Sequence, residues 1–201
     1  VPDMKLTRHF TEHYCWSTEE GSIRTAIHTP SGYWTSMLVD NVAPTNSSEL
    51  VDCAIAVTEQ ERPRVLYADG DDLKMGRYAA QSQNYWQGAR WHTRTIFENV
   101  NPSHLEMDIT PDGLEWGLMR TEDGALHQVN FSGNYWTKYL LDAGPVGTDM
   151  ELNVDSDGVA HILYTRVSDG SAVLLRIDGW SHDTQILSQD SSMSSELGMG
   201  I

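Results

Sequence analysis

The chain has 201 residues, 39% of them hydrophobic, with 29 acidic against 13 basic side chains and a formal net charge of −16. That is one domain's worth of an ordinary globular composition, and it lacks the clustered Lys and Arg that nucleic acid or an anionic membrane surface demands. Apolar runs stop at five or six residues, too short for a membrane-spanning helix.

In chain order, residues 1–46 open with "DMKLTRHFTEHYCWSTEEGSIRTAIHTPSGYWTSML", in which Met4, Trp16, Gly21, Ile23 and Trp34 mark a strand–turn–strand rhythm. Residues 47–102 repeat it through Leu50, Tyr67, Gly70 and Leu73, with an inserted hairpin tip predicted over Ala79 to Arg90 before Trp91. Residues 103–147 repeat it again with Leu105, Gly113, Met119, Gly124 and Trp136. Residues 148–193 show it most plainly. Asp157-Gly158, Asp169-Gly170 and Asp178-Gly179 separate runs such as Val159–Tyr164 and Ala172–Ile177. Asp-Gly between alternating apolar residues signals a tight hairpin, because glycine accepts the positive φ of such turns. No segment carries apolar residues at helical spacing for three turns.

The anchors Met4, Leu50, Leu105, Met150 and Leu197 lie 46, 55, 45 and 47 residues apart. A four-strand unit repeating at this interval is the mark of a β-propeller blade, since one thin sheet cannot bury either face alone. The expected fold is therefore an all-β propeller over residues 1–201, of four complete four-stranded antiparallel units. The tail Ser194–Ile201 matches Ser47–Ile55 and reads as the first strand of a fifth unit. Three readings of it stand open: a fragment of a larger propeller, closure of a four-bladed ring, or a strand lent to a neighbouring copy through Ser195, Glu196, Leu197, Met199 and Ile201. The chain starts at Val1, which reads as a mature or excised form, and the expected location is extracellular or at the cell surface.

The pattern "D-x-D-G-x-x-H-I-x-Y … G-x-x-x-L … W" resembles the repeats of sialidase-like β-propellers, although "TPDGLEW" (Thr110–Trp116) is one residue short of their Asp-box. The stretch "RVLYADGDDLKMGRYAAQSQNYWQG" is similar to a blade of the fungal fucose-binding lectins, through Arg64, Leu73-Lys74, Trp86 and Gly88. That resemblance implies a sugar held by Arg, Glu and Trp; Met75 stands where the lectins place the Glu.

The Trp opening each fourth strand (Trp34, Trp91, Trp136, Trp180) and the second-strand position Trp16, Tyr67, Met119, Tyr164 are expected to fill the core between blades. Two further columns recur once per unit: His13, Arg64, Trp116, His161, and Arg24, Lys74, His127, Arg176. They read either as a groove for anionic glycans or as the solvent-facing half of the strand alternation. Asp155-Ser156-Asp157-Gly158 and Asp69-Gly70-Asp71-Asp72 look like pieces of calcium loops, yet neither continues to the distant Glu such a loop needs; hairpin turns explain them, and no cofactor is expected, with calcium as the lesser alternative. Cys15 and Cys53, on inward-looking strands, are expected as buried free thiols, with a bridge between them as the lesser reading. Sequons at Asn46 and Asn130 imply surface or strand-end positions. No nucleophile elbow or His-rich zinc motif occurs. The expected function is a non-catalytic extracellular binding or assembly module, with a glycan or further copies of the chain as partner. The alternative is a carbohydrate-active enzyme, glycosidase or polysaccharide lyase, or part of one.

Overall fold

A computed structural model describes residues 3–7, 9–42, 52–79, 90–132, 134–179 and 181–188. They form sixteen strands. Blade 1 is β1 (Asp3–Leu6), β2 (Glu12–Ser17), β3 (Ser22–His28) and β4 (Trp34–Asn41). Blade 2 is β5 (Cys53–Val57), β6 (Pro63–Asp69), β7 (Asp72–Ala79) and β8 (Arg90–Phe97). Blade 3 is β9 (Pro102–Ile109), β10 (Glu115–Thr121), β11 (Leu126–Ser132) and β12 (Tyr135–Asp142). Blade 4 is β13 (Val146–Val154), β14 (Ala160–Arg166), β15 (Ala172–Asp178) and β16 (Ser181–Ser188). Each blade is a meander whose strands pair in sequence order. This is the all-β, propeller-type architecture expected from the repeat. The tail Ser194–Ile201, Trp86 and Trp180 lie outside the described residues.

The local chemistry is that of tight hairpins. At the β13–β14 turn the Gly158 N–H donates to the Asp155 carbonyl at 3.0 Å, and Gly158 sits at φ 81°, where a side chain would be strained. Between the third and fourth strands every blade carries a register shift at the same place: Ile23/Arg24, Leu73/Lys74, Leu126/His127 and Ala172/Val173. Such a bulge adds one residue to the outer strand and increases its twist. It also sets the true repeat register. Val173, not Arg176, stands in the Arg24–Lys74–His127 column; Arg176 lies three residues further on, opposite His161.

The chain divides into two compact units, Val1–Met107 and Asp108–Ile201, with the boundary inside β9. In the first, Cys15, Ile23, Val39 and Val42 of blade 1 pack against Cys53, Ile55, Val65 and Tyr67 of blade 2. In the second, Trp116, Leu118 and Leu126 of blade 3 join Leu152, Ile162, Tyr164, Val173 and Ile177 of blade 4. Each such side chain contributes roughly 1.5–3 kcal/mol when fully buried.

Polar ties fix how neighbouring blades meet. Tyr67 on β6 donates its hydroxyl to Asp40 Oδ2 on β4 at 2.7 Å, and Tyr164 on β14 does the same to Asp142 Oδ2 on β12 at 2.9 Å. Asp142 also accepts from Arg166 Nε at 2.8 Å. Burial raises the Asp142 carboxyl's pKa, but Arg166, the Gly144 N–H and Tyr164 outweigh it and hold the group below the usual aspartate value. Burial, with Asp142 adding to it, pushes Tyr164 up to about 12. Three further aspartates act as latches: Asp3, Asp52 and Asp108 accept the backbone N–H of Ile55, Leu105 and Val154 at 2.7, 2.7 and 2.8 Å.

The core expectations hold for Tyr67, Met119 and Tyr164, which are buried, while Trp16 is half-buried. The Trp column departs from them. Trp91 packs against the unit 1 core, but Trp34 is 59% exposed, because its ring lies on the outer edge strand over His28 rather than in a seam.

Candidate functional site

Unit 2 contains a pocket of about 580 Å³. The Thr110–Leu114 turn delivers its floor. Leu114 N–H donates to Thr110 Oγ1 at 2.8 Å and the Gly113 N–H to the Thr110 carbonyl at 2.8 Å, and the residues that leave this turn, Leu114, Glu115 and Trp116, line the cavity. Strand alternation supplies the wall. Trp116 pairs with Asn130, Asn130 with Thr137, and Gln128 with Tyr139, so these side chains share one face of blade 3. Tyr135 stands at the rim, 67% exposed, and Gly179 and His182 of the β15–β16 hairpin complete the lining.

The chemistry is a buried acceptor set beneath aromatic walls. Glu115, Gln128 and Trp116 are 5%, 5% and 7% exposed. Asn130 Oδ1 is buried with no hydrogen-bond partner among the described residues. A buried carbonyl oxygen left so is costly unless a donor reaches it, and a ligand hydroxyl would be such a donor. Asn130 as a whole is half-buried, near the end of β11. Among the described residues no lysine or arginine lines the pocket.

Blade 1 carries a related constellation. Glu12, like Glu115, is the first residue of its blade's second strand. Its Oε2 accepts from the Tyr14 hydroxyl at 2.8 Å and meets His28 Nδ1 at 2.9 Å. His28 lies flat on Trp34 with ring centroids 4.3 Å apart and planes at 11°, and Tyr14 tilts against the same indole at 5.5 Å. The His28 contact, then the Tyr14 hydroxyl, draw the Glu12 carboxyl below its usual range.

Of the residues singled out from sequence, His161 and Arg176 are cross-strand partners on β14 and β15. Arg24, Arg64 and Lys74 sit on β3, β6 and β7 of unit 1; His127, His161 and Arg176 sit on β11, β14 and β15 of unit 2. None lines the pocket. Arg64 donates to the Pro63 carbonyl at 3.2 Å. Lys74 bridges Asp69 and Asp40 at 2.6 and 3.3 Å. His161 meets Asp155 at 3.0 Å and Arg176 meets Asp178 at 3.3 Å. Burial, then Lys138, lowers the pKa of His127. Nor does the His13 column face solvent as a whole, since His13 and Trp116 are buried. The calcium-like stretches act as turns: Asp155 Oδ1 accepts the Asp157 and Val159 N–H groups at 2.9 and 3.0 Å. Among the described residues no group of three or more His, Cys, Asp or Glu is placed to hold a metal.

Sequence reasoning missed Glu115, Gln128, Asn130, Thr137, Tyr139 and His182. The available signal was a carboxylate opening the second strand beside Trp116, across from a Tyr-Trp pair opening the fourth.

No protein-family model matches the sequence, and no curated protein matches it. Solved structures do. The chain is similar to SapL1 lectin, solved in complex with alpha methyl fucoside, with a TM-score of 0.68 at 14% identity over 94% of this chain and 64% of that one. It is similar to the Aleuria aurantia lectin, described as a six-bladed β-propeller with a novel fucose recognition mode, at a TM-score of 0.63 and 15% identity over 95% of this chain and 64% of that one. BP39L lectin from Burkholderia pseudomallei gives a TM-score of 0.59 at 12% identity over 91% and 53%. The chain thus spans less than two thirds of the length of these lectins. The expected likeness to a fungal lectin propeller is supported, whereas the likeness to sialidase-like propellers is not.

Proposed function

We propose that the chain is a non-catalytic carbohydrate-binding module whose unit 2 pocket holds a neutral sugar ring. The observation that carries this is the lining itself: Trp116, Phe131, Tyr135 and Tyr139 around the acceptors Glu115, Gln128 and Asn130. A sugar offers one apolar C–H face, which packs on aromatic rings, and a rim of hydroxyls, which donate to carboxylate and amide oxygens. The lectin character of the structurally similar propellers supports the reading. Selectivity follows from charge. A sialic or uronic acid would bring its carboxylate towards Glu115 with no lysine or arginine among the described lining residues to balance it, so this pocket is not the anionic-glycan groove that is one reading of the basic columns. Among the described residues Glu115 is also the single carboxylate in the lining, whereas glycoside hydrolysis needs a pair about 5–9.5 Å apart.

The cluster of exposed Trp34 with half-buried His28 and Glu12 supports a second, shallower contact on blade 1. An extracellular or cell-surface location, where glycans are displayed, belongs to the same proposal. So does assembly through the tail: deleting Ser194–Ile201 is expected to convert oligomer to monomer by light scattering, and an unchanged mass would end that part.

A glycan array followed by calorimetry tests the sugar site. Neutral monosaccharide termini are expected to bind, and sialylated or uronic ones not. Glu115→Gln and Tyr135→Ala are each expected to weaken binding about tenfold or more. Binding indifferent to both changes, or no binding to any neutral glycan, would remove the proposal.

A further inference from the structure

The seam between blades 1 and 2 brings the chain's two cysteines face to face. Cys15 on β2 is fully buried and Cys53 on β5 is 2% exposed. Their sulfurs stand 2.7 Å apart although 38 positions separate them in the chain. Non-bonded carbon atoms rest about 3.5–4.0 Å apart, and sulfur is larger, so this is closer than two thiols sit by packing alone. Ile23, Val39, Val42, Ile55 and Val65 enclose the pair. No metal-holding cluster among the described residues includes either one. The seam therefore aims two thiols at each other from different sheets and gives them no other partner chemistry.

We propose that Cys15 and Cys53 are a disulfide site, closing a covalent link between blades 1 and 2 when the chain folds in an oxidising compartment. The oxidant is a low-molecular-weight disulfide of the glutathione type. One cysteine thiolate attacks it, forming a mixed disulfide and releasing one small thiol. The second cysteine thiolate then attacks the protein sulfur of the mixed disulfide and expels the other small thiol. In sum the two cysteines lose two protons and two electrons, and one external disulfide becomes two thiols.

Timing follows from burial. In the packed seam, burial first and then the neighbouring Cys53 push the Cys15 thiol up, so the attacking thiolate is suppressed there. The enclosing side chains also exclude the oxidant. The bond forms while the seam is open and before β5 docks on β2; the finished fold then shields whichever state it captured. The link records the conditions of folding and does not respond to later changes. The preference for two free thiols in the sequence reading comes from the inward-looking strands that carry them, which says nothing of their facing each other.

The test refolds the full chain from denaturant in a buffer of oxidised and reduced glutathione, and in parallel with excess phosphine reductant. The glutathione preparation is expected to be lighter by two hydrogens and to resist iodoacetamide after denaturation. The reduced preparation should label at both cysteines after denaturation, yet stay unlabelled and unoxidised when glutathione disulfide is added to the folded protein. The linked form should melt higher by on the order of 10 °C, a gap absent from the Cys15→Ala, Cys53→Ala double variant. Two labelled cysteines, a retained glutathione adduct or disulfide-linked dimers from the glutathione preparation would overturn the site. A bond without a melting gap would overturn its role in pinning the blades. Should the double variant not fold, mass and labelling of the natural sequence decide alone.

Discussion

His13 shows how much a single side chain can set. It is 1% exposed on β2, and neither ring nitrogen has a hydrogen-bond partner among the described residues. Burial disfavours the imidazolium and lowers its pKa from the ordinary 6.5, with Glu61 pulling weakly the other way. A lowered histidine pKa means that the unfolded chain binds the proton more readily than the folded one. The stability His13 permits is thus complete above the unfolded value near 6.5 and is lost as pH falls below it. Urea denaturation at a series of pH values should show stability declining from about pH 7 towards pH 5. In His13→Leu that part of the decline is expected to vanish; an unchanged slope would place the acid sensitivity elsewhere. Glu115 is buried as well, at 5% exposure, and lines the unit 2 cavity.

At the scale of the element, the recurring bulge does the positioning. It leaves Val39 as the extra residue on β4, between the partners of Ile23 and Arg24, and that valine is buried. Blade 2 makes room for it with Gly76 on β7. A β-carbon added at Gly76 would lie 2.9 Å from Val39 Cγ1 and 3.4 Å from Trp91 Cε3. Val39 is stiff at χ1 and enclosed, so it has little freedom to yield. Gly76→Ala is expected to destabilise the protein by about 1–3 kcal/mol, the usual cost of overpacking, read as a lower urea midpoint at unchanged slope. No loss of stability would mean that the seam is looser than its packing implies. The position of the bulge also places Val173, rather than Arg176, with Arg24, Lys74 and His127, and Arg176 lies opposite His161.

For the whole molecule, the excess of acid is itself a force. With 29 acidic and 13 basic residues the charges repel more than they attract near neutral pH, which opposes compaction. Raising salt from about 10 mM to about 150 mM shortens the screening length from roughly 30 Å to 8 Å. The melting temperature at pH 7 is therefore expected to rise over that range, and a fall would show that attractive pairs such as Lys74–Asp69 outweigh the repulsion. The sequence by itself determined the repeat, the four-stranded unit and its hairpin turns, because these rest on glycine conformation and on alternation within a few residues. It also marked Tyr67, Met119 and Tyr164 as core, since one aromatic or apolar side chain per unit must fill the wedge between sheets. Only the tertiary structure decided that Trp34 faces outward, that Asp40 and Asp142 receive tyrosines from the following blade, and that Glu115, Asn130 and Tyr135 line one cavity. Those facts depend on which strand of one sheet meets which strand of the next, and periodicity within a strand carries no information about that meeting.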